Sequence, residues 1–113
     1  MEVEVGRAVV KLATTGEMAA DAQGLVHGGF IFGAADYAAM VAVNDPNVVL
    51  GSADVRFVAP VRLPQIVSFE ARVVSTAGSK HIVEVEGRVD NRTVFNGSFI
   101  CFVPERYVLD DSP

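Results

Sequence analysis

Gly29-Phe30-Ile31-Phe32-Gly33-Ala34-Ala35-Asp36-Tyr37-Ala38-Ala39-Met40-Val41-Ala42-Val43-Asn44 is the stretch on which the fold turns. It shows no alternation of polar and apolar residues. It is rich in alanine and apolar nearly all round. A helix of that kind belongs in a core. The alanines at 34, 35, 38, 39 and 42 let a sheet or a second helix approach closely. Asn44-Asp45-Pro46 ends the helix, because proline disfavours helical geometry in the residue before it.

The flanking segments read differently. Glu2 to Leu12 has the character of a strand with a fault: Val3 and Val5 share one phase, while Ala8, Val10 and Leu12 take the other. Gly6 lies at the slip, where a bulge or break would re-aim the chain. After the helix, four segments alternate with period two, which puts one set of side chains on each face of a sheet. They are Val48–Ala59, Ile66–Ser75, Lys80–Asp90 and Arg92–Val103. One wet and one dry face is the habit of antiparallel sheets. Ala77-Gly78 and Asp90-Asn91 are expected hairpin tips. Pro60 and Pro64 interrupt the link between the first two of the four segments. The order predicts an α+β domain over residues 1–113, an antiparallel sheet of about five strands wrapped around one long buried helix. Leu109 to Pro113 are expected to fray.

Bulk properties exclude several classes. The net charge is −5, and the nine basic residues are scattered as singles. Without a basic run or stripe, nucleic acid is not an expected partner. The single cysteine, Cys101, forms no internal disulfide, and no cysteine–histidine cluster calls for a metal. It lies among Phe99, Ile100, Phe102 and Val103, as a buried structural thiol would. Met1 to Glu4 lack the features of a signal peptide. Asp36 in the middle of the longest apolar stretch argues against a membrane span. A cytoplasmic protein in a reducing compartment is expected. Half of the residues are hydrophobic and only 20% are charged, which leaves few charges to cover a small globule. Part of the surface is therefore expected to be covered by another copy.

Two places carry chemistry. Asp36 is the only charged residue between Asp21 and Asp45, His27 aside. An unpaired buried carboxylate costs several kcal/mol, so it is either used and bonded or lies on the helix's one wet stripe. The residues alone leave both open. His27-Gly28-Gly29 sits where the loop meets the helix. Free N–H groups at a helix start suit an oxyanion, and glycines let a substrate reach the backbone. A flexible helix start with a packing histidine accounts for the same residues. Residues 28 and 36 stand about 12 Å apart along a helix, too far for one reacting carbon to touch both. Two antiparallel helices from two subunits bring Gly28 of one beside Asp36 of the other, which predicts a shared site.

Gly24-Leu25-Val26-His27-Gly28-Gly29-Phe30, followed by Ala35-Asp36, resembles the hotdog-fold thioesterases of the phenylacetyl-CoA thioesterase (PaaI-like) type. Val55-Arg56-Phe57-Val58-Ala59-Pro60-Val61 is similar to that family's strand ending in Phe-x-x-Pro. The resemblance covers roughly Asp21 to Val103. It implies a hotdog fold, a homodimer or homotetramer, and hydrolysis of acyl-CoA without metal or other cofactor, coenzyme A being part of the substrate. It implies Asp36 as general base or nucleophile, Gly28 as oxyanion donor through its N–H, and His27 as a residue that orients the thioester. Gly29, Asp21, Phe57 and Pro60 are the implied substrate contacts. Two departures stand out. Asp21 occupies a place where the family often has Asn, and Leu63-Pro64-Gln65 replaces the family's Gly-Asp.

Two other activities remain open beside thioester hydrolysis. One is a non-catalytic acyl-CoA-binding module. The other is an enoyl-CoA hydratase or dehydratase, although the closely spaced Asp and His usual for that chemistry are missing. Lys80, Arg88 and Arg92 are candidates for CoA phosphates, although a solvated sheet face is the reading favoured for each. Phe30, Phe32, Tyr37, Met40 and Phe57 line a pocket or fill the core.

Overall fold

The computed structural model describes residues 1–106 and Leu109. The expected fraying of the C-terminus falls, Leu109 apart, outside the described residues. The elements in chain order are β1 (Glu2–Glu4), β2 (Arg7–Ala13), a short 3-10 turn (Gly16–Met18), α1 (Gly28–Val43), β3 (Val49–Phe57), β4 (Ile66–Ala77), β5 (Lys80–Val89) and β6 (Arg92–Phe102). All strand pairs are antiparallel and form one sheet in the order β1-β2-β4-β5-β6-β3.

The fault at Gly6 is a reversal of the chain. Gly6 has φ 71, and β1 folds back on β2 with Val3 opposite Ala8. This raises the strand count from about five to six. The later hairpins turn at Gly78-Ser79, one residue beyond the expected tip, and at Asp90-Asn91. Asp90 adopts φ 54, the left-handed geometry that two-residue hairpins favour.

Strand phase follows the alternation. Val67, Phe69 and Ala71 of β4, Val83 and Val85 of β5, and Phe95, Phe99 and Cys101 of β6 are buried beneath α1. Ile31, Ala35, Ala38, Ala39 and Ala42 supply the helix side of that core. Alanine there leaves room for the phenylalanines of the sheet. Phe95 sits at the centre, with ring centroids 5.5 Å from Phe57, 5.9 Å from Phe69 and 6.5 Å from Phe99. Helix α1 ends as Asn44 turns to φ 55, its N–H donating to the Met40 carbonyl.

Only one face of α1 is covered in the single chain. Phe30 and Tyr37 are 42% and 52% exposed, and Gly29 and Gly33 are exposed beside them. The helix lies mainly across β2, β4 and β5. Strand β3 is therefore an edge strand with its inner side half bare, and Phe57 at its end is 54% exposed. The outer face of the sheet is charged, with Arg7 and Arg72 paired to Glu70 and Arg88 to Glu86.

Candidate active site

The helix start is held in place by the loop before it. The His27 N–H donates to the Met18 carbonyl at 2.9 Å, and the Val26 N–H to the Val61 carbonyl at 2.9 Å. Leu25 bridges to Arg62, and Leu63 donates to the Gly24 carbonyl. These bonds stitch the loop before α1 to the segment after β3. Gly28, the first residue of α1, is thereby set against the end of β3.

A Cβ at Gly28 would stand 3.3 Å from Cε1 of Phe57, so glycine is what lets the ring edge meet the backbone. A cleft of about 300 Å³ opens there, lined by Gly28, Ile31, Phe57, Pro60, Val61 and Val94 among others. The side chains that line it are apolar. The N–H groups of Gly28 and Gly29 meet no acceptor among the described residues. Such groups have no partner within a helix, and they sit at the positive end of its dipole.

Asp36 lies two turns further along α1. Its Oδ1 is buried and has no hydrogen-bond partner among the described residues. Burial holds the carboxyl above its ordinary range. The thiol of Cys101 in β6 is raised to about 11, first by burial and then by the negative charge of Asp36. A thiol so protonated is a poor nucleophile. The folded protein should therefore resist iodoacetamide at neutral pH and take up one carbamidomethyl group only after unfolding. Rapid labelling of the native protein, read by mass spectrometry, would contradict this burial.

Asp21 serves the loop. Its Oδ1 accepts the N–H of Gln23 at 2.9 Å and of Leu25 at 3.1 Å. That task needs only an oxygen acceptor, which Asp and Asn share. Asp21 also borders a second cleft of about 370 Å³ with Gln23, Leu25, Arg62, Gln65 and Arg92. The two clefts share Leu25, Pro60 and Val61.

The chain thus brings Gly28, Phe57 and Pro60 together in one cleft. It places Asp21 in the neighbouring one. His27 and Gly29 are exposed at the helix start, with the His27 ring 6.4 Å from that of Phe30. Asp36 is not among the residues lining either cleft. Of the candidate phosphate contacts, Arg88 is paired with Glu86 at 2.6 Å. Lys80 lies opposite Phe102, at the other end of β6 from Val94. Arg92 alone of the three borders a cleft beside the helix start. Arg62 joins it without any sequence signal, since a single arginine in an irregular segment has no periodicity to read.

Residues 23–95 match the family model of the Thioesterase superfamily, and the chain belongs to that family. Its helix on an antiparallel sheet is the family's hotdog fold. A structure of an uncharacterized protein from Pyrococcus horikoshii is 49% identical, with a TM-score of 0.94, over 96% of this chain and 83% of that one. A methylthioribose-1-phosphate isomerase of Aquifex aeolicus is 50% identical over 99 residues, 88% of this chain but 22% of that protein. The transcription factor FapR of Staphylococcus aureus is 30% identical over 83 residues, 74% of this chain and 45% of the factor. The chain therefore spans less than half the length of either of these two relatives. A hypothetical thioesterase from Streptococcus pneumoniae, solved with coenzyme A, is 17% identical with a TM-score of 0.84, over 94% of this chain and 84% of that one. A mutant of the phenylacetic acid degradation protein PaaI from Thermus thermophilus is 24% identical with a TM-score of 0.85, over 92% and 90%. At these identities the likeness is one of fold. Among the described residues no helix is long and apolar enough to cross a membrane, and no group of three His, Cys, Asp or Glu is placed to hold a metal.

Proposed function

We propose that the chain hydrolyses an acyl-CoA thioester to the free acid and CoA, at a site made twice between two copies. The observation that carries this reading is the Asp36 carboxyl, half-sunk in an apolar helix with a buried oxygen that has no partner among the described residues. Such an atom costs free energy unless something outside the single chain meets it. In a pair of antiparallel α1 helices, Asp36 of one copy stands near Gly28 of the other. Asp36 takes a proton from water, and the hydroxide attacks the thioester carbonyl carbon. The carbonyl oxygen gains negative charge and is met by the Gly28 N–H. Collapse of this intermediate breaks the C–S bond, and the thiolate leaves and is protonated. In this reading His27, exposed beside Gly28, orients the thioester. The bare face of α1 and the free edge of β3 supply the surface for the second copy. The pneumococcal protein of this fold solved with coenzyme A supports a CoA thioester as the substrate class.

The reading is tested by thiol release from short, long and aromatic acyl-CoAs. Release above the spontaneous rate from at least one class is expected, and none from any class would end it. The shared site has its own test. Tyr37→Glu puts a charge on the open helix face, and it should yield a monomer by light scattering with turnover lowered about tenfold or more. A monomer at full rate would show the site to be complete within one chain.

A second reading is an acyl-CoA-binding module without turnover. It is favoured by the match to a segment of a transcription factor. Tight acyl-CoA binding with no thiol release would establish it.

A further inference from the structure

We infer that the Phe32–Phe99 ring stack and the Cys101 side chain form a floor without strong hydrogen-bond donors beneath Asp36, and that this floor holds the carboxyl unpaired for the work of a base. Phe32 and Cys101 are then positioning residues of the proposed thioesterase site, on which this reading rests.

The course of α1 across the sheet places the floor. Gly28 meets Phe57, which pairs with Phe95 at the start of β6. One turn on, the ring of Phe32 stacks on that of Phe99, with centroids 5.6 Å and planes 28° apart. The helix thus advances along β6 from its start toward its end. Asp36 is four residues beyond Phe32, so the two side chains are neighbours on one flank of the helix. Cys101 is two residues beyond Phe99, so both lie on the inner face of β6, and both are wholly buried. One further step along each element brings Asp36 over Cys101. The charge of Asp36 reaches the thiol as this placement requires, and it adds to burial in raising the thiol.

The surroundings offer the carboxyl little to bond. One turn away on α1 stand Phe32, Gly33, Ala39 and Met40, none with a polar side chain. A thiol is a weak donor and a phenyl ring is none. Oδ1 of Asp36 accordingly has no partner among the described residues. On the sheet, Leu50 of β3 and His81 of β5 lie opposite Cys101. The His81 Nδ1 is 3.1 Å from the Thr76 hydroxyl. Among the described residues, Cys101 and His81 are the titratable side chains that the strands turn toward α1. From β1, β2, β3 and β4 come Val3, Val10, Leu50 and Phe69, while Glu4, Lys11, Asp54 and Glu70 take the outer face by alternation. On α1 the other titratable group is Tyr37, which is exposed. A carboxylate supplied with donors titrates lower and is a weaker base.

The test follows the titration of Asp36 by carboxyl 13C NMR in wild type, Cys101→Ser, Cys101→Ala and Phe32→Ala. The pH dependence of kcat/KM for the best acyl-CoA is measured beside it. Cys101→Ser gives the floor a hydroxyl donor, and Phe32→Ala opens it to water. Each should lower the Asp36 midpoint by about half a pH unit or more, and the acid limb of the rate should move with it. Cys101→Ala adds no donor, and its midpoint should stay that of wild type. Melting curves show which variants are folded, and if Phe32→Ala is not, the two Cys101 variants decide. An unmoved midpoint in folded Cys101→Ser or Phe32→Ala, or an equal shift in Cys101→Ala, overturns the floor and leaves the thioesterase reading standing. The expected midpoints in a protein that hydrolyses no acyl-CoA support the floor while the hydrolase reading falls.

Discussion

Asp36→Ala should lower thiol release from the best acyl-CoA by about 100-fold or more, the usual cost of losing a general base, while the protein stays folded. The two halves of that result separate a working carboxylate from a structural one. A structural carboxylate has partners, and its removal destabilises. The buried Oδ1 of Asp36 has none within the described chain, so its removal should leave the melting temperature unchanged or raise it. Full turnover in the variant would remove Asp36 from the mechanism. The pH dependence follows from the same burial. Burial raises the folded pKa of Asp36 above its unfolded value. The contribution to stability is thus fully present below the unfolded pKa and is lost as pH rises through the folded one. Asp36→Asn should therefore become more stable relative to wild type as pH climbs through that window. The rate, which needs the ionised form, should fall off on the acid side at a pH above the ordinary carboxylate range. A rate profile flat through that window would contradict the role of base.

Phe95→Ala should cost about 3–5 kcal/mol of stability, the usual range for a phenylalanine fully removed from a core. Phe95 is completely buried and touches the rings of Phe57, Phe69 and Phe99. Domains of this kind hold only about 5–15 kcal/mol in all, so the urea midpoint should drop by a large fraction, or the variant should fail to fold. The consequence reaches the site, because the Phe57 ring that lies against Gly28 leans edge-on upon Phe95. Phe95→Leu keeps most of the volume and should cost much less. A loss under about 1 kcal/mol in Phe95→Ala would mean that the ring cluster does not anchor the sheet.

Much of the fold was legible in the residues because periodicity is a local property. The alternation of Val67, Phe69 and Ala71 with Ser68, Glu70 and Arg72 set the inner face of β4. The Ala-rich run from Gly29 marked the helix to within one residue at each end. Gly6 was recognised as a fault, but whether the chain bulged or reversed there depended on what β2 paired with, and β4 supplies that partner from far along the chain. The apolar phase of β3 was right in pattern and misleading about burial. Val55 and Phe57 face inward, yet the helix lies across other strands and leaves them half bare.

The site divides in the same way. The sequence by itself determined a histidine and two glycines at a helix start, and a carboxyl within an apolar helix, since those follow from neighbours in the chain and the 1.5 Å rise of a helix. Only the tertiary structure decided that Phe57 meets Gly28, that Asp36 raises the thiol of Cys101, and that Arg62 and Arg92 border one cleft. Those residues lie far apart in the chain, and strand order, register and the stitched loop before α1 bring them together. No periodicity encodes such meetings, because they arise from how elements pack and not from how any one of them is built.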